Sequence, residues 1–251
     1  MQFTIVMPVL AALLFLGLLA MQALGRWTAR RSSDADATRL GAIEGAVFGL
    51  LGLLLAFTFS GAASRFNDRR ELIVQEANDA GTSYLRLDLV DEPARQTMKQ
   101  ELRDYVDARL ATYQDSGDAA ARQAAARATE LQGRLWQAAI TAVHAQPDIT
   151  AMLLPPFNDL FDIASTRFAA SSNHPPMIIY LMLVAITLAC SFLAGFAFGP
   201  GQTRHRIATW AFAGVISIAL YVVVDLEYPR YGFIRVDSAD VFLSQARASM
   251  R

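Results

Sequence analysis

The sequence predicts an all-α membrane protein, with four transmembrane helices in two hairpins and a helical extramembrane domain inserted between them. Four apolar segments, at about 3–24, 42–61, 177–199 and 207–224, reach the roughly 20 residues that a helix needs to cross a bilayer. The 251 residues are 54% hydrophobic and only 18% charged, with mean hydropathy +0.30, which is too apolar for an ordinary soluble domain. The second apolar run passes straight into a charged helical pattern without a turn, in EGAVFGLLGLLLAFTFSGAASRFNDRR from Glu44 to Arg70. A helix that leaves a bilayer and continues into a bundle is written this way.

The first span, 3–24, has no basic residue before it and is followed directly by Arg26, Arg30 and Arg31. It therefore reads as a retained helix rather than a cleaved signal. Residues 25–40 connect the first hairpin, and Gly199-Pro200-Gly201 opens the connector of the second, 200–206. The implied division is a first hairpin at 1–64, a helical domain at 65–176, a second hairpin at 177–226 and an interfacial C-terminal segment at 227–251.

Within the domain, Asp91 is the expected N-cap of a helix with Pro93 in its first turn. Met98, Leu102, Tyr105, Val106, Leu110 and Tyr113 give that helix one apolar face. Residues 114–118, with Ser116-Gly117, form a loop, and Leu131, Leu135, Ala138 and Ala142 mark the next stripe. Pro147 and Pro155-Pro156 are expected to break the pattern before a short amphipathic helix at 157–168.

A net charge of −1 gives no electrostatic case for nucleic acid. The single Cys190 excludes an internal disulfide and any multi-cysteine metal site. His144, His174 and His205 lie far apart, and no nucleophile–base pair, metal signature or cofactor fingerprint is present, so neither an enzyme nor a cofactor is expected. Lys99 is the only lysine among 22 basic residues, which reads as codon bias.

Several residues are candidates for function. Gly45 and Gly49 form a G-x-x-x-G pair with Gly52 nearby, suited either to packing against the first span or to an oligomer contact. Gly49, Leu53 and Phe57 share a face at i, i+4, i+8. They face lipid or core in a monomer, and a narrow apolar constriction in a ring of subunits. Glu44, at the membrane boundary, is either a carboxylate at a pore mouth that favours cations or an N-terminal charge complementing the helix dipole.

Asp225 and Glu227 follow the fourth span and are expected to pair with Arg65, Arg69 or Arg70 in an interfacial charge network. Pro229 and Gly232 turn the chain there, and Tyr228, Tyr231 and Phe233 supply interfacial aromatics. Arg65, Asp68, Arg69 and Glu76 read as a solvated face with intrahelical pairs, and Asp159, Asp162 and Arg167 as a helix surface in preference to an ion site. The connectors' Arg26, Arg30, Arg31, Arg39, Arg204 and Arg206 place both connectors in the cytoplasm and the helical domain outside. Arg65, Arg69, Arg70, Arg230 and Arg235 argue the other way.

The segment SRFNDRREL, whose Arg65 lies eight residues after Phe57, resembles the stretch following the pore neck of bacterial bestrophin channels. The matching positions are Phe57, Ser64, Arg65, Phe66, Asp68 and Arg70, and the register puts Gly49, Leu53 and Phe57 at the neck. Over most of its length the chain is similar to bacterial proteins with a bestrophin-like domain, through IEGAVFGLLGLLLAFTFSGAASRF, QEANDAGTSYLRLDL and DLEYPRYGFIRVD. Gly49 departs from the bulky apolar residue of that neck, and the region after Arg70 lacks the Trp-rich pattern of animal bestrophins. The resemblance implies a homo-oligomeric, pentameric ion channel in a bacterial inner membrane, with lipid and inorganic ions as partners. It also implies a cytoplasmic helical domain. A non-conducting sensor or scaffold whose helical domain binds a partner accounts for the same spans.

Overall fold

A computed structural model describes residues 2–31, 34–114, 118–198, 203–230 and 232–251. Ser116-Gly117, Gly199-Pro200-Gly201, Tyr231 and the side chains of Arg39, Arg204 and Arg206 lie outside the described residues. The helices are α1 (Gln2–Ala29), α2 (Asp34–Arg86), α3 (Ala94–Gln114), α4 (Asp118–Ala145), α5 (Thr150–Ser172), α6 (Met177–Phe198), α7 (Thr203–Glu227) and α8 (Asp237–Ser249). Among the described residues there is no strand. The four helices long and apolar enough to cross a membrane are α1, α2, α6 and α7.

The chain divides into two compact units. The first comprises Met1–Phe66 and His174–Arg235, the second Asn67–Asn173 and Val236–Arg251. Helix α2 runs unbroken through the division, because from Asp34 to Arg86 it contains no proline to remove a backbone donor. At 1.5 Å per residue its 53 residues extend about 80 Å, far more than the ~30 Å hydrocarbon core of a bilayer.

In the first unit α1 packs along α6 and α7. The α1–α6 seam depends on Gly25 and Gly195: a Cβ on Gly25 would run into the Phe192 carbonyl oxygen, and one on Gly195 into that of Gln22. Such close approach is how helices associate in lipid, where no hydrophobic effect drives them together. Polar side chains add ties at this depth. Ser191 Oγ donates to the Leu18 carbonyl (2.8 Å), Gln22 Nε2 to the Thr209 carbonyl (3.3 Å) and Arg26 Nη1 to Thr209 Oγ1 (3.2 Å). Gly45, Gly49 and Gly52 have open space where a Cβ would sit, so the expected packing of this glycine pair against the first span does not occur.

The second unit is built around α3 and α4. Met98, Leu102, Tyr105 and Val106 meet Leu131, Leu135 and Ala139, and Leu153, Phe157, Leu160 and Phe161 of α5 close the core. Ala77, Ala80 and Tyr84 of α2 and Leu243 of α8 complete it. Each fully buried leucine there contributes about 1.5–3 kcal/mol.

Three local expectations are corrected. Helix α3 begins at Ala94, and Asp91 serves it with its backbone carbonyl, which accepts from the Arg95 N–H (3.2 Å), rather than with its side chain. Pro155 and Pro156 lie inside α5, which starts at Thr150 instead of 157. The carbonyls they leave without helical donors belong to Ala151 and Met152, both exposed to water. The connectors are also shorter than expected, since α1 reaches Ala29, α2 starts at Asp34 and α7 at Thr203.

Gly195→Leu should break the α1–α6 seam and destabilise the protein by about 1–3 kcal/mol, as overpacking does. Gly45→Ala should be close to neutral. Thermal unfolding of both variants in detergent checks the contrast.

Candidate functional site

Helix α2 has two faces from Gly49 to Ser83. Leu51, Ala62, Arg69, Ile73, Glu76, Ala80 and Ser83 are buried at helical spacing. In the membrane-crossing part this face is held by Ala62 against Val223 and Leu226, by Phe48 edge-on to Phe212 (5.6 Å) and by Cys190 Sγ near the Val47 carbonyl (3.7 Å). The opposite face is uncovered. Gly49 is exposed, Leu53 is 53% and Phe57 66% exposed, and the stripe continues at i+3 or i+4 through Ser60, Ser64, Asp68, Glu71, Gln75 and Asn78. Its chemistry thus passes from apolar to polar within one helix. Glu44 is half-buried in the third turn of α2, so it is not the N-terminal charge of that helix.

At the far end of the first unit's helices, Glu227 is fully buried. Arg65 donates to its Oε1 from Nε (2.8 Å) and from Nη2, which ties the membrane part of α2 to the end of α7. The imidazole of His174 stacks on Tyr228 (centroids 4.6 Å, 22°) and brings Nδ1 to 3.6 Å from Glu227 Oε2.

Asp225, also buried, accepts the backbone N–H groups of Phe233 (3.1 Å) and Ile234 (2.8 Å) and the Tyr221 hydroxyl (3.3 Å). It braces the loop after α7. Gly232 is needed there because a Cβ would run into Asp225 Oδ1. Arg69, in the second unit, donates to the carbonyls of Ala170 and Asn173 (both 3.1 Å) and so satisfies the orphan acceptors at the C-terminus of α5. Of the four residues expected in one network, the structure joins Arg65 with Glu227 and gives Asp225 and Arg69 backbone roles.

Glu76 overturns the expectation of a solvated face. It is 1% exposed, accepts from Arg109 Nε of α3 (2.6 Å) and pairs with Arg167 of α5. Asp240 of α8 lies 3.9 Å from Arg167 Nη2, and Arg109 Nη2 also donates to the Tyr113 hydroxyl (2.8 Å). Arg167 is correspondingly buried, whereas Asp159 and Asp162 lie on the helix surface as expected. Burial raises the Glu76 carboxyl, but the Arg167 and Arg109 charges outweigh it and hold the group below its ordinary 4.5. A signal for this was present, since Glu76 falls on the same stripe as Ile73, Ala77 and Ala80. His174 had no such signal, because its partner lies more than fifty residues further along the chain. Among the described residues no group of three His, Cys, Asp or Glu side chains is placed to hold a metal ion.

A Bestrophin-like domain profile matches residues 11–241. No curated protein sequence matches the chain. Its fold is similar to crystal structures of single-substitution variants of a bacterial bestrophin homologue from Klebsiella pneumoniae. One superposes with a TM-score of 0.73 at 13% identity, covering 96% of each chain. A second gives 0.73 at 14%, covering 96% of this chain and 98% of that one. A third gives 0.71 at 15%, covering 95% and 97%. At these identities the likeness is one of fold.

Glu76→Gln leaves two buried guanidiniums without their carboxylate and should cost about 3–5 kcal/mol. Because the folded-state pKa of Glu76 is depressed, its stabilisation is present above the unfolded value of 4.5 and is lost as pH falls through the lower folded value. Melting in detergent, followed by circular dichroism, should show a gap between wild type and Glu76→Gln at pH 7 that narrows as the pH falls below 4.5.

Proposed function

The chain belongs to the Bestrophin-like domain family, and on that premise we propose that it is a homo-oligomeric ion channel of a bacterial inner membrane whose pore is lined by α2. The observation that carries this reading is the uncovered face of α2. A helix that crosses a bilayer with one face on its own bundle and the other bearing Gly49, Leu53, Phe57, Ser60 and Ser64 suits a ring of copies around an axis. Lipid would cover the apolar part of that stripe equally well. It would suit Ser60 and Ser64 less well, and these fit a water-filled path.

In this reading Leu53 and Phe57 form the constriction, with Gly49 widening one end of it. An apolar neck of this kind gates by dewetting. The carboxylate ring expected of Glu44 has no place in this reading, because Glu44 stands two turns before Leu51 and so on the side of α2 turned to its own bundle. The ring of copies is five-membered if assembly follows the bestrophin channels that the chain resembles. The hairpins 1–64 and 177–226 supply the membrane part and the helices of 65–176 the extramembrane part, while of the segment 227–251, expected along the interface, α8 packs into the core of the second unit.

Planar-bilayer recordings of wild type and Phe57→Ala test the reading. Removing the ring of phenyl groups should raise unitary conductance or open probability about two-fold or more, because the dewetting barrier falls as the neck widens. Unchanged currents would remove Phe57 from the constriction, and a protein that is monomeric in detergent by light scattering would remove the pore altogether.

A further inference from the structure

We propose that His174 is a positioning residue for the pore helix, acting through Glu227, and that it makes the grip on α2 depend on pH. The proposal rests on the channel reading for its functional consequence, but its geometry stands independently. The Arg65–Glu227 pair, whose carboxylate is fully buried, is a polar tie of the membrane part of α2 to α7. Arg65 takes one carboxylate oxygen, Oε1. The other, Oε2, faces His174 Nδ1 across 3.6 Å, too long for a hydrogen bond and short enough for one to form with a small rotation of either side chain.

The imidazole is not adrift. Stacking on Tyr228 fixes its plane, and it sits just ahead of Pro175-Pro176 and α6. Its side chain is 27% exposed, so protons reach it from water. Among the described residues, Glu227 and Tyr228 from the end of α7 face it and, through Glu227, Arg65 from α2.

Histidine ordinarily changes charge between about pH 5 and 8. A neutral imidazole adds no charge beside Glu227, which Arg65 already grips through Oε1. A protonated one presents a second cation to a carboxylate that has little water around it, where charge-assisted hydrogen bonds are strongest. Protonation therefore closes the 3.6 Å gap and adds the start of α6 to the clasp on α2. The neck lies two turns before Arg65 on the same helix, so a firmer clasp restrains the segment that must move for the neck to widen.

Two readouts are needed. Currents are recorded at symmetrical pH 5.5 and 8 for wild type, His174→Gln and His174→Arg. In parallel, a nitroxide attached at Ser60→Cys in a Cys190→Ser background reports α2 mobility in nanodiscs, with or without the His174 substitutions, and needs no conduction. Wild type should have an open probability about threefold or more lower at pH 5.5 than at 8, the range over which histidine charges. Its nitroxide should be less mobile at the lower pH. His174→Gln should show neither dependence, and His174→Arg should give the acid behaviour at both values. A nitroxide spectrum that ignores pH in the wild-type background, or that responds equally in His174→Gln, overturns the proposal. So does a current whose pH dependence survives His174→Gln. A nitroxide that responds while all variants remain silent supports the His174 clasp and rejects the channel.

Discussion

The length of α2 against the thickness of a bilayer constrains everything else in this protein. A helix about 80 Å long cannot lie wholly within ~30 Å of hydrocarbon. Its backbone bonds are internally satisfied throughout, so the helix itself is indifferent to the change of solvent. Its side chains are not. On the buried face they change from Leu51 and Ala62 to Arg69, Glu76 and Ser83, and on the open face from Leu53 and Phe57 to Asp68, Glu71 and Gln75. Each polar residue on the buried face then requires a partner, because an unpaired charge in a low-dielectric site costs several kcal/mol.

Two carboxylates meet that requirement in different ways. Glu76 is enclosed by two guanidiniums from α3 and α5, so it joins three helices of its unit through one charge. Replacing it with an apolar residue would leave two arginines to neutralise, which makes the cluster hard to remove piecemeal. Glu227 is paired with the Arg65 guanidinium and approached by the His174 imidazole. The first arrangement is permanent over ordinary pH. The second includes a group whose charge ordinarily changes there. Asp225, two residues before Glu227, accepts the backbone N–H groups of Phe233 and Ile234 and the Tyr221 hydroxyl, and fixes a loop. Neighbouring acids in sequence thus do unrelated work, decided by what their rotamers reach.

Close approach of backbones divides the glycines in the same way. Gly25 and Gly195 bring α1 and α6 together and tolerate no Cβ. Gly45, Gly49 and Gly52 have the sequence spacing associated with helix packing, yet a Cβ on any of them would meet open space. Leu53 and Phe57 are likewise uncovered, and their exposure would be a liability in water and is tolerated in lipid or in an assembly.

Hydrophobic run length and helical period are local properties, and they alone determined the all-α class, the four spans, the continuity of α2 and the common face of Gly49, Leu53 and Phe57. The family resemblance was legible for the same reason, since it rests on contiguous motifs around Phe57, Arg65 and Asp225. Tertiary structure decided which charges pair. Glu76 meets Arg109 and Arg167 across 33 and 91 residues, and Glu227 meets Arg65 across 162. It also decided that Arg69 and Asp225 bind backbone, and that α5 carries Pro155 and Pro156 in its interior. Such outcomes depend on which helices become neighbours and which carbonyls remain in water, and neither quantity is written in any one stretch of chain.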